Sequence, residues 1–103
     1  MRRTRALNEV AVALLENPRD RHWGYELSRA SGVRSGVIYP LLRRLLEQGL
    51  LIDGWEDPAK ISGRPPRRYY QLTDAGRAEL AAVAHAAQAE GSAREAYSWG
   101  FAR

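Results

Sequence analysis

The stretch Ser35 to Gly49, SGVIYPLLRRLLEQG, reads as a helix with one apolar face, and it constrains everything around it. Val37, Leu41, Leu45 and Gln48 form one stripe at helical spacing. Ile38, Leu42 and Leu46 lie beside it, so a broad face must be covered by other parts of the chain. Ser35, Gly36, Tyr39, Arg43, Arg44 and Glu47 are left for the outside. Small residues, then a tyrosine, then arginines suit phosphates and base edges, because little bulk holds the backbone away and donors follow. Pro40 falls near the fifth position if Ser35 is the N-cap, where it removes one backbone hydrogen bond and crowds the preceding turn. A shape requirement at the helix start accounts for it, and so does a proline tolerated near the first turn.

The segment before this helix supplies a partner. Tyr25 to Ala30 reads as a helix closed by Gly32, after which Ser35 starts the next one. Helix, short glycine-containing turn, helix is the helix-turn-helix pattern. Gly49 then closes the second helix, LLIDGWE reads as a strand, DPAKISGRPPR as a charged, proline-rich loop, and RYYQLT as a second strand. The expected fold is therefore mainly α with a small β-hairpin wing: a winged helix-turn-helix followed by one more helix.

The motifs H-W-G-Y-E-L, S-G-V-I-Y-P-L-L-R-R-L, E-Q-G-L, R-P-P-R-R, Y-Y-Q-L-T and D-A-G-R, in that order, resemble the PadR family of bacterial transcriptional regulators. The resemblance covers roughly residues 7 to 80, and the joint order is far more specific than any one motif. It implies a dimer held by the C-terminal helix, and a pocket between subunits that receives planar or hydrophobic effectors. Two departures stand out. Members often carry a long helical C-terminal domain, whereas thirty residues follow Thr73 here, as in a short subfamily. Arg34 stands where the family often has a small N-cap residue.

A chain of 103 residues fits one folding unit that buries something over ~60% of its unfolded surface. Residues 1–72 are expected to form the DNA-binding part, and residues 73–103 the dimerisation helix and an aromatic tail. There is no long apolar run and no secretory start, so a cytoplasmic, membrane-free protein is expected. With no cysteine, disulfides, thiol switches and cysteine-bound zinc are excluded. His22 and His85 lie on separate elements without a carboxylate cluster, so neither metal nor cofactor is expected. Residues 1 to 68 hold thirteen Arg or Lys against eight Asp or Glu, a balance of +5; residues 69 to 103 hold three against four, or −1. The basic excess belongs to the half expected to meet DNA, which suits a polyanion partner.

In the first helix, expected from Arg3 to Glu16, Leu7, Val10, Ala11, Leu14 and Leu15 make the apolar face. Arg2, Arg3 and Arg5 read as a solvated basic end, and RDRHW as a polar loop. Trp23 reads as packing. In the wing, Pro58, Pro65 and Pro66 stiffen the loop, while Lys60, Arg64 and Arg67 would reach phosphates or a minor groove; a hairpin charged only for solubility is the competing view. Tyr70 and Leu72 are the expected core pair of the second strand, with Tyr69 exposed. Thr73 caps a last helix whose thin stripe, Leu80, Val83, Ala84 and Ala87, is assigned to dimerisation, against the alternative of a helix lying on its own domain. Gly91 and Ser92 interrupt it. Tyr97, Trp99 and Phe101 would dock on the other subunit or line an effector pocket.

No nucleophile with a neighbouring base, phosphate-cradling loop or carboxylate pair is visible, so catalysis is not expected. The function expected is a homodimeric repressor that occupies an inverted repeat, relieved by a small aromatic or hydrophobic effector. Arg34, Ser35, Gly36, Tyr39 and Arg43 would make the recognition contacts, and Lys60, Arg64 and Arg67 would clamp the flanking backbone. The alternative is a winged helix that binds an acidic protein through the same basic face, and a third is a small-molecule-binding dimer whose DNA contacts are residual.

Overall fold

Thr4 opens the first helix by accepting a hydrogen bond from the Leu7 amide at 3.1 Å, so α1 spans Arg5–Leu15, two residues later than the sequence suggests. The computed structural model describes the backbone of residues 2–101 and the side chains of residues 2–91. Beyond α1 come β1 (His22–Trp23), α2 (Gly24–Ser31), α3 (Ser35–Glu47), β2 (Leu51–Trp55), a short 3-10 turn at Pro58–Lys60, β3 (Arg68–Leu72) and α4 (Asp74–Phe101). No helix among the described residues is long and apolar enough to cross a membrane.

The core forms where four helices meet the sheet. Leu7, Val10 and Leu14 of α1, Leu27 of α2, Ile38, Leu42 and Leu45 of α3, Leu51, Tyr70 and Leu72 of the sheet and Leu80 of α4 make one buried cluster. The buried line of α3 is Ile38, Leu41, Leu42 and Leu45. Val37 is 46% exposed and Gln48 is exposed, so the buried face is turned one position from the stripe that included them. Packing against α1, α2 and β2 sets that rotation, which apolar spacing alone leaves free. The N-cap of α3 is Arg34 in an extended conformation, offering no side-chain bond, so Ser35 is already inside the helix.

Two glycine turns fix the angles between elements. Gly32, at φ 74°, ends α2, and the Ser28 hydroxyl ties to the Val33 carbonyl across that turn at 2.5 Å. Gly49, at φ 71°, ends α3: its amide donates to the Leu46 carbonyl at 3.0 Å and the Leu50 amide donates to the Leu45 carbonyl at 2.9 Å, the paired bonds of a Schellman motif.

The sheet has three strands, ordered β1-β3-β2, with both pairings antiparallel. Leu51 faces Leu72, Asp53 faces Tyr70 and Trp55 faces Arg68. This corrects the two-stranded wing and the polar loop expected at RDRHW. His22–Trp23 pairs with the free edge of β3, and Trp23 meets Tyr69 edge-on with ring centroids 6.0 Å apart. A two-residue strand is too short to show alternation. Tyr69 is accordingly half-buried, with the Arg21 guanidinium 4.2 Å above its ring.

In α4, Thr73 is the cap: its hydroxyl oxygen accepts from the Gly76 amide at 2.9 Å, and the hydroxyl donates to the Gly49 carbonyl at 2.7 Å. The helix runs through Gly91 and Ser92 without the expected interruption. A single helical glycine costs only ~1 kcal/mol, and alanines on either side favour continuation.

Candidate nucleic-acid interface

α3 presents its outward residues on one arc. At about 100° per residue, Ser35, Gly36, Tyr39 and Arg43 fall within roughly 100° of one another, and all four are exposed opposite the buried line. Around Gly36 nothing stands within 4 Å of where a Cβ would be, so the helix start offers bare backbone to whatever approaches. Arg34 and Arg43 are exposed and enter no ion pair among the described residues. Both guanidiniums keep their donors available.

Tyr39 is placed by a neighbour on the preceding helix. A Cβ on Gly24 would lie 2.6 Å from its Cε1 and 2.7 Å from its Oη, so the ring rests on the first residue of α2 and only glycine leaves it room. The hydroxyl is thereby held at the junction of α2 and α3.

The wing is organised by Glu56, which sequence reasoning missed. Its carboxylate accepts from Arg64 Nη1 at 2.6 Å and Nη2 at 2.9 Å, and from the Arg67 amide at 2.9 Å. Arg64, expected to reach DNA, is thus bound within the wing and braces it. An acid at the end of one strand, with Arg64 and Arg67 returning across the hairpin, was the available signal. Lys60 ends the 3-10 turn exposed and enters no ion pair among the described residues. Arg67 turns toward α2, with Nη1 donating to Tyr25 Oη at 3.4 Å and the guanidinium 5.3 Å above the Tyr25 ring. Arg68 Nε donates to Asp53 at 2.6 Å across the β2–β3 pair.

The Arg64 hydrogen bonds hold the Glu56 carboxyl down at about 2, from an ordinary 4.5, against the opposing effect of burial. A depressed folded-state value makes the contribution complete above the unfolded value and lost as pH falls through the folded one. The wing is therefore expected to loosen between pH 4.5 and about 2. Emission of Trp55 in a variant lacking the other tryptophans should report a step in that window, and Glu56→Gln should abolish the step; persistence of the step in the variant would assign it elsewhere.

The stripe assigned to dimerisation divides. Leu80 is 1% exposed inside its own core and Val83 packs against that core, so Leu80 is not available to a second subunit. The reason is that α4 lies along α1, which leaves more of its own domain to cover than the alanine-rich sequence suggests. Ala84 and Ala87 are half-buried. An ion pair between Arg3 and Glu90 sets residue 90 beside the start of α1, and α4 continues to Phe101. The side chains of Tyr97, Trp99 and Phe101, named for docking or an effector pocket, lie outside the described residues.

A family model described as the transcriptional regulator PadR-like family matches residues 13–82, from the second half of α1 into α4. The chain belongs to that family. Its PadR-like sequence is 41% identical over 73 residues to the transcriptional regulator Rv3488 of Mycobacterium tuberculosis, an alignment covering 71% of this chain and 58% of that protein, so the chain spans less than two thirds of this relative. A PadR-like transcriptional regulator of Bacillus cereus superposes with a TM-score of 0.66 at 26% identity, covering 85% of this chain and 88% of the other. The protein smu.1704 of Streptococcus mutans superposes with a TM-score of 0.75 at 22% identity, over 97% and 93% of the two chains, a likeness of fold.

Proposed function

We propose that this PadR-like chain is a sequence-specific DNA-binding regulator in the cytoplasm, acting as a homodimeric repressor on an inverted repeat. The observation that carries the reading is the arc of Ser35, Gly36, Tyr39 and Arg43, exposed on the second helix of a helix-turn-helix that has a wing beside it. Membership of the PadR-like family of transcriptional regulators supports regulation of transcription. Residues 1–72 would carry the DNA contacts. Residues 73–103 would carry the subunit contacts, with Leu80 reaching back to the core.

Dimerisation is supported at the α1–α4 groove. Thr4, Asn8, Ala87 and Gly91 border a cavity of about 620 Å³, and Asn8 Oδ1 is the one buried side-chain oxygen without a hydrogen-bond partner among the described residues. A second subunit seated there would cover that cavity. In a two-fold dimer the recognition helices would address half-sites about one helical turn, or ~10 bp, apart. A hydrophobic effector between subunits would relieve repression by changing that spacing.

The test is enrichment of the full chain on a genomic DNA pool at about physiological salt with competitor DNA. Recovery of a short inverted repeat is the expected result; recovery of background alone would reject the regulator in favour of a protein-binding winged helix. On the recovered operator, Lys60→Ala should lower the magnitude of the log-affinity against log-salt slope by about one unit. An unchanged slope would remove Lys60 from the contact set.

A further inference from the structure

A pocket of about 330 Å³ opens between the start of α2, Tyr39 of α3 and the base of the wing, where Tyr39 and Arg67 meet Gly24 and Tyr70, residues given no DNA contact above. Gly24 and Tyr25 provide one wall, and Tyr39, Tyr70, Arg67 and Arg68 the others. α2 starts there with Trp23 as N-cap and no side-chain capping bond, so the first-turn amides, which have no partner within the helix, are not covered by a cap. Such amides carry partial positive charge and suit an anion.

The second observation is independent of the helix. Tyr70 is 4% exposed and lines the pocket, and its hydroxyl takes no hydrogen-bond partner among the described residues. A hydroxyl on an otherwise buried ring, with no partner inside the protein, has a donor left to offer to a group that enters the pocket. Burial holds the Tyr70 phenol above its ordinary value, so it remains protonated and can donate. Tyr39 Oη stands against Gly24 at the same junction. Arg67 borders the opening with its guanidinium on Tyr25. The carboxylates nearby are engaged: Asp53 by Arg68, Glu56 by Arg64, and Glu26 by the Tyr25 hydroxyl at 3.3 Å.

We propose that this pocket seats one phosphate group of the DNA backbone, held by the hydroxyls of Tyr70 and Tyr39, the first-turn amides of α2 and Arg67. The site lies between the recognition helix and the wing, where a strand crossing from one to the other would pass. The occupant rests on the DNA-binding reading; the seat itself is defined by phosphate chemistry, which a free phosphate compound would share. Backbone contacts of this kind set register and carry no sequence preference.

Tyr70→Phe removes the hydroxyl and keeps the buried ring, and its melting temperature verifies the fold. Affinity for operator and for random duplex should fall by the same factor, about 10-fold, as expected for one lost bond to a charged group. A methylphosphonate at the matching position of each half-site should reproduce that loss in the unaltered protein and add none in Tyr70→Phe. Equal DNA binding by the two proteins would overturn the proposal, as would fully additive losses. If the unaltered protein binds no DNA, the regulatory reading fails separately, and titration with inorganic phosphate decides the seat. Shifts of the Gly24 and Tyr25 amide resonances that vanish in Tyr70→Phe would retain it for a free phosphate compound, and no shift would eliminate it.

Discussion

Gly76→Ala is expected to destabilise the chain by about 3 kcal/mol, the upper range for forcing an extra methyl into a packed site. In a domain of this size that lowers the melting temperature by on the order of 15 °C. A Cβ on Gly76 would stand 1.8 Å from the Leu50 carbonyl oxygen and 2.8 Å from its carbon, a backbone collision that no rotamer change relieves. Neither side can yield at low cost. Leu50 is fixed by its amide, which donates a hydrogen bond to the Leu45 carbonyl at 2.9 Å, and its own carbonyl accepts from the Thr73 amide at 3.1 Å. Moving α4 outward would also uncover Leu80, which is 1% exposed. Gly91→Ala is the internal control: nothing lies within 4 Å of its Cβ position, so the same change there should stabilise α4 by up to ~1 kcal/mol. Thermal unfolding followed by circular dichroism separates the two. Similar melting temperatures for both variants would show that the α4–Leu50 junction is not as tight as described.

Gly76 also illustrates what a sequence can and cannot reveal. D-A-G-R was visible as a motif, but its glycine is needed because of a carbonyl twenty-six positions earlier. The helices, the Gly32 turn and the order of hairpin and last helix were legible because each rests on local spacing or local turn chemistry. Features set by distant partners were not. β1 exists because β3 has an edge to cover, and Leu80 is buried because α4 lies on α1. The site divides in the same way. The outward arc of α3 follows from periodicity, whereas the capture of Arg64 by Glu56 depends on how the loop folds back. The placement of Tyr39 over Gly24 needs the crossing of two helices. Positive charge in a loop was readable; which cation is already engaged was not.

That distinction makes Arg43→Ala the most informative change at the interface. Arg43 sits on the α3 arc with Ser35, Gly36 and Tyr39, exposed and without an ion pair among the described residues. No internal partner must be broken before it meets a base edge. A guanidinium reading guanine through two donors contributes ~1–3 kcal/mol of discrimination, so the variant should lose roughly 5- to 150-fold on its operator and relax its preference at one position of each half-site. Arg64→Ala should behave differently, because Arg64 is tied to Glu56 and reaches the interface only through the order of the wing. Its loss should weaken operator and random duplex alike. Selection from a randomised half-site, followed by affinities at fixed salt, distinguishes a change of preference from a uniform loss. A uniform loss for Arg43→Ala would make it a phosphate contact, and reading of sequence would then have to come from Ser35 or the deformability of the operator.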